Sequence, residues 1–163
     1  MLIDTHAHLD YPDFANDLPA ILEAARAVGV TRIITIGTGV ESSRRAVALA
    51  ERFENIHAVV GLHPTNVDDE KGDWLAEIRK LAAHPKVAAI GETGLDYHHL
   101  PSEKLASAPA ISALQAEMSQ DTEAAIIDGA YKAAQAEAFA AQLDLAAELG
   151  LNVVIHQRDA WDD

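Results

Sequence analysis

His6 and His8 stand two residues apart in the run Leu2-Ile3-Asp4-Thr5-His6-Ala7-His8-Leu9. In an extended strand alternate side chains share a face, so the two imidazoles point the same way and form a clamp suited to a divalent cation. The competing reading is a pair of buried, hydrogen-bonded histidines. Asp10 continues the alternation and either orients a ligand from behind or opens the following loop. Glu92 follows the apolar run Val87–Gly91, within Gly91-Glu92-Thr93-Gly94-Leu95-Asp96-Tyr97. A carboxylate leaving a buried parallel strand lies at the strand's C-terminal edge, where ligands and catalytic groups gather. There Glu92 can bridge two cations; as a lone acid it could equally cap a helix or face solvent. His156 closes Val153-Val154-Ile155-His156, and His63 follows an apolar strand in Gly61-Leu62-His63-Pro64. Polar groups at the ends of strands one, three, four and five thus converge on one edge. Of the other histidines, His57 opens a strand and His84 ends a helix. His98 and His99 lie in a loop near that edge, either touching substrate or solvated.

The elements that must carry these residues alternate. Strands are expected over Leu2–Leu9, Arg32–Ile36, Ile56–Leu62, Val87–Gly91 and Asn152–His156. Helices are expected over Asn16–Val28, Glu41–Phe53, Asp73–His84 and Tyr131–Leu149, the last with Phe139, Leu143, Ala146 and Leu149 as its apolar residues. Short continuous apolar strands separated by helices read as right-handed βαβ units on a parallel sheet. Periodicity leaves an open doubly wound sheet and a barrel equally available; the convergence of polar groups favours the barrel. Residues 100–130 break the rhythm as an insertion, with short helices expected at Ala110–Met118 and Thr122–Ile127. Connections of that length are often lids or binding loops; the competing reading is a surface insertion with no role.

The chain has 163 residues, is 49% apolar and 23% charged, and lacks cysteine. These values describe an ordinary globular domain with no disulfide framework, compatible with a reducing cytoplasm. No run is long and apolar enough for a membrane helix, and the N-terminus lacks the basic start of a signal peptide. Twelve basic against 26 acidic residues leave a net charge of −14. That excludes a protein coating duplex DNA with a basic face. A nucleic-acid enzyme would need cations in the site to carry the positive charge locally.

Asp4-Thr5-His6-Ala7-His8-Leu9, Gly61-Leu62-His63-Pro64, Gly91-Glu92-Thr93-Gly94-Leu95-Asp96-Tyr97 and Ile155-His156-Gln157-Arg158-Asp159-Ala160, in that order, resemble the successive signatures of TatD-type deoxyribonucleases. Gln142-Leu143-Asp144-Leu145-Ala146 resembles the family's helix before strand five. The resemblance implies a TIM-type (β/α) barrel of the metallo-dependent hydrolases, with residues 1–163 its N-terminal portion, about five of eight βα units, and it matches 100–130 poorly. It implies two divalent ions (magnesium, manganese or zinc): His6 and His8 on one, Glu92 bridging, His156 on the second, with His63 lining the substrate site. The implied reaction is phosphodiester hydrolysis of DNA, at single-stranded or 3′ ends. The family's further ligands, a His after strand six and an Asp after strand eight, would lie beyond residue 163, so the chain reads as C-terminally truncated. The alternatives are an amidohydrolase or lactonase acting on a small molecule, and an inactive barrel fragment.

Overall fold

A computed structural model of the chain describes residues 1–98, 100–105 and 120–163. Its elements run β1 (Leu2–Ala7), α1 (Leu18–Ala27), β2 (Val30–Ile36), α2 (Val40–Arg52), β3 (Ile56–Val60), α3 (Trp74–Ala82), β4 (Val87–Asp96), α4 (Pro101–Leu105), α5 (Gln120–Leu149) and β5 (Asn152–Arg158). All neighbouring strands are parallel, and the sheet order is β1-β2-β3-β4-β5. A doubly wound sheet reverses its order at a switch point; this one never does. Leu18 and Leu22 of α1, Ala46, Val47 and Ala50 of α2, Ile78 and Ala82 of α3, and Leu145 and Ala146 of α5 share one core cluster with Ile33, Ile56, Ala58, Val60 and Ile90. The helices therefore cover one face. The opposite face carries a smaller cluster from the strands alone, Ile36, Val59 and Ala89, flanked by Ile34 and Val154. Sequential order with helices on one side is the geometry of an incomplete (β/α) barrel, its inner face lined by that second cluster. Leu2 and Ile3 on one outer strand and Ile155 on the other are exposed.

Three expectations change. β4 runs through Glu92 to Asp96 instead of stopping at Gly91, because β5 keeps pairing with it as far as Asp96 opposite Arg158. Gly91 (φ +140°) and Gly94 (φ +145°) permit this. A Cβ on Gly91 would lie 2.5 Å from the Val154 carbonyl oxygen, and one on Gly94 would strike the His156 carbonyl oxygen. The stretch Thr122–Ile127 is not a separate short helix but part of α5. Its alanines favour helix, and Gly129, just beyond it in α5, costs only about 1 kcal/mol relative to alanine. The expected helix at Ala110–Met118 lies outside the described residues.

The third change concerns which side of α5 is buried. Leu143 and Leu149 are each 37% exposed, whereas Gln135, Ala138, Gln142, Leu145 and Ala146 face the sheet. The two glutamines are fully buried and bind the backbone at the strand ends. Gln142 accepts from the Leu62 N–H (2.8 Å) and donates to the Leu62 carbonyl (3.0 Å) and the Thr93 hydroxyl (2.6 Å). Gln135 makes the same two-way pairing with the N–H and carbonyl of Asp96, at 2.9 and 3.0 Å. Stranding such buried groups costs about 1–3 kcal/mol each. Gln142→Ala should therefore lower the unfolding free energy by about 3 kcal/mol, against about 1 kcal/mol or less for Leu143→Ala. Urea melts of both variants check this, and equal losses would show that the amide is not holding the sheet.

Candidate metal centre

The four strand ends deliver their polar side chains to one place. His6 lies in β1 and His8 just after it. Glu92 and Asp96 share a face of β4, four residues apart. His156 lies in β5, and His63 follows β3 by three residues. Glu92 is 8% exposed and sits between the histidines. Its Oε2 is 3.2 Å from His6 Nε2, and its Oε1 is 3.0 Å from His156 Nδ1. One ligand atom each from His6, His8 and Glu92 lie within 4.8 Å of one another, and the same holds for His63, Glu92 and His156. Every site residue expected from the sequence is thus in the constellation, and Glu92 belongs to both groups.

Hydrogen-bond partners fix much of the ring chemistry. His8 Nδ1 lies 3.1 Å from the Ile36 carbonyl oxygen, which can only accept, so Nδ1 carries the proton and Nε2 keeps its lone pair. His156 Nε2 lies 2.9 Å from Asp96 Oδ2 and donates to it. Nδ1 is then left facing Glu92 Oε1. A lone pair and a carboxylate oxygen at 3.0 Å call for a proton or a cation between them, so this donor set fits a divalent ion. His63 differs. Its Nδ1 accepts from the Thr65 N–H at 3.2 Å, placing the neutral ring's proton on Nε2, 3.1 Å from His156 Nδ1. Burial, then the neighbouring His156, push the His63 imidazole down to about 4, so it is neutral at pH 7.

Two residues outside the sequence-derived set support the site. Asp96 is 5% exposed, orients His156, and also accepts from the His98 N–H at 3.0 Å. A carboxylate behind a histidine fixes ring orientation and raises basicity. Its signal was the 92/94/96 alternation, visible only if the strand continues past Gly91. Gln135, in turn, holds the Asp96 backbone. Asp10 makes no hydrogen bond to His6 or His8. Its wholly buried side chain accepts from Ser42 Oγ (2.7 Å) and Arg45 Nη2 (3.0 Å), tying the loop after β1 to α2. The other histidines stand apart. His84 pairs with Glu51 at 3.1 Å and His98 with Asp159 at 2.7 Å, while His57 sits at the far end of β3. His99 lies outside the described residues.

The family model for TatD related DNase matches residues 3–163. The chain belongs to the TatD family. It is 36% identical to an uncharacterized metal-dependent hydrolase, YabD, of Bacillus subtilis, over 100% of this chain and 53% of the relative. It is 33% identical to the 3′-5′ ssDNA/RNA exonuclease TatD of Musicola paradisiaca, over 98% of this chain and 50% of the relative. Among solved structures, the TatD homolog YjjV of Escherichia coli K12 superposes with a TM-score of 0.74 at 29% identity, covering 99% of this chain and 52% of that one. A TatD family hydrolase of Entamoeba histolytica gives the same TM-score at 23% identity, which speaks for the fold alone. This TatD-family chain spans about half the length of the curated relatives it matches. Among the described residues, no helix is long and apolar enough to cross a membrane.

Because both ligand groups share Glu92, substitutions should separate them. Calorimetric titration of manganese or zinc into metal-free protein should show binding that Glu92→Gln abolishes. His6→Ala/His8→Ala should remove only the component independent of His156. Asp96→Asn should weaken the His156 component about 10-fold or more. Identical isotherms for wild type and Glu92→Gln would dismiss the shared carboxylate as a ligand.

Proposed function

We propose that this chain carries the metal-binding half of a hydrolase that cuts phosphodiester bonds at single-stranded nucleic-acid ends, with DNA cut from the 3′ side. The observation that carries the reading is Glu92, buried between two histidine groups with one oxygen toward each. His6, His8 and Glu92 would hold one divalent ion; Glu92 and His156 would hold a second. Divalent cations, when bound, polarise a phosphoryl oxygen and acidify water. Everything else falls to the chain's own side chains. Glu92 and Asp96 keep the ring nitrogens of His6 and His156 aimed inward. Neutral His63 presents Nε2–H as a hydrogen-bond donor, suited to a phosphate oxygen or a departing oxygen, rather than a lone pair suited to a metal. The nucleic-acid assignment draws on the relative named as a 3′-5′ ssDNA/RNA exonuclease. Concentrating cations in the site also reconciles phosphate binding with a net charge of −14.

The cover expected over residues 100–130 falls, for residues 106–119, outside the described residues. Its described ends are joined: Ser102 donates through its N–H (3.0 Å) and hydroxyl (2.6 Å) to the Asp128 carboxylate, pinning α4 to α5. Further along α5, the Tyr131 hydroxyl reaches the carbonyl of Pro64, next to His63, at 3.4 Å. Asp121, Glu123 and Asp128 make this segment repellent to a long duplex and tolerant of a short single-stranded end.

With manganese and a 5′-labelled single-stranded oligonucleotide, the 163-residue protein should shorten DNA from the 3′ end slowly. The family's two further ligands have no counterpart in it, and loose positioning of reacting groups costs large factors in rate. Glu92→Gln should stop the reaction, and the inactive variant should still bind the oligonucleotide better than a duplex of equal length. Turnover of lactones or amides with no oligonucleotide binding would replace the nuclease reading with the small-molecule one.

A further inference from the structure

The end of the sheet opposite the metal-facing side chains holds an open groove of about 1060 Å³, lined by the N-terminal ends of β2 and β3, the turn before β4, and α1. Its charge runs against the chain's. Overall, 26 acids outnumber 12 bases, yet the groove gathers Arg26, Arg32 and Lys86 against only Glu23 and Glu54. Among the described residues neither Arg26 nor Arg32 has an ion pair or a side-chain hydrogen bond, whereas Arg44, Arg45 and Arg79 are all paired with carboxylates. Lys86 is held in place by main-chain oxygens, its Nζ 2.5 Å from the Glu54 carbonyl and 3.4 Å from that of Ile56. His57 lies in the same wall, opposite Ile34 in the β2–β3 register. Its imidazole is pushed below its ordinary value by burial first, then by Lys86 and Arg32, so both cations lie near enough to act on this wall of the groove.

In an acidic protein, two guanidinium groups without ion pairs beside a fixed ammonium, against the two carboxylates of Glu23 and Glu54, leave this groove with a local excess of one positive charge. Guanidinium forks match the paired oxygens of phosphate, and a fixed lysine adds a point charge. The three cations come from α1, β2 and the turn before β4, so they line a span instead of converging on a point. The floor beneath them includes Leu22 and Phe53. We propose that this groove binds an anion carrying two or more linked phosphates, at a site separate from the metal-facing edge and independent of the reaction assigned to it.

Tripolyphosphate is the probe, titrated into the whole chain by calorimetry in the presence of EDTA, so that no cation at the other edge can hold it. The expected result is saturable binding that Arg26→Ala/Arg32→Ala weakens at least 10-fold and Arg26→Lys/Arg32→Lys weakens less. His6→Ala/His8→Ala should leave it unchanged. Both arginines are exposed and unpaired, so circular dichroism melts of the groove variants should match wild type. Adenosine triphosphate binding more tightly than tripolyphosphate would extend the site to a nucleoside on the apolar floor; equal affinity would confine it to the phosphates. Absence of saturable binding, binding indifferent to both arginine variants, or binding lost with the histidine pair would overturn the proposal.

Discussion

Parallel strands must stop pairing where their ends spread apart to form a site, and the backbone groups left there are buried without a partner. This chain resolves the conflict with two glutamine side chains. A primary amide offers a donor and an acceptor side by side, as a peptide unit does, so Gln142 and Gln135 on α5 act as substitute strand neighbours for Leu62 and Asp96. Seven residues is about two helical turns, a rise of about 10 Å, so both amides lie on one face and reach successive strand ends. His63 follows Leu62 directly and Asp96 orients His156, so the geometry of two polar side chains at the site rests on an apparently inert helix.

The site itself is a problem in charge placement. Glu92 and Asp96 are buried carboxylates facing imidazoles, and burying charge is tolerable only where it is met by opposite charge or hydrogen bonds. The histidines supply the hydrogen bonds, and the unclaimed lone pairs leave room for positive charge from outside the chain. Elsewhere some of the basic residues bind carboxylates on helix surfaces, as Arg44 does with Glu77 and Arg79 with Glu148. Such exposed pairs add little stability.

Much of this was readable in the residues. β-branched runs and helical spacing located every strand, α1 to α3 and the later part of α5, though not α4, and His-x-His, Glu92, His63 and His156 stood out because polar residues at the ends of apolar strands are conspicuous. What escaped notice shares one cause. Gln135, Gln142 and Asp96 are buried polar groups, and a search for apolar faces passes over them. On α5 it selected Leu143 and Leu149, which face outward, over the glutamines that face inward. The continuation of β4 past Gly91 was hidden because glycine ordinarily ends a strand; here it is what lets β5 approach. Asp10 looked like a loop residue, since nothing local announces that Ser42 and Arg45 fold back onto it.

The strand order has a consequence of its own. Each strand pairs with the one made just before it, and each covering helix lies between them in the chain. The strand that waits longest is β5, which meets β4 only after the connection from Asp96 to Asn152, and parallel pairing across such crossovers forms slowly compared with local contacts. A ribosome releasing such a chain N-terminus first can add βα units in succession, each new strand finding an edge already formed. The last edge in this sequence, β5, presents Ile155 to solvent at 61% exposure. During synthesis it is the surface on which the next addition, or an unwanted neighbour, would settle.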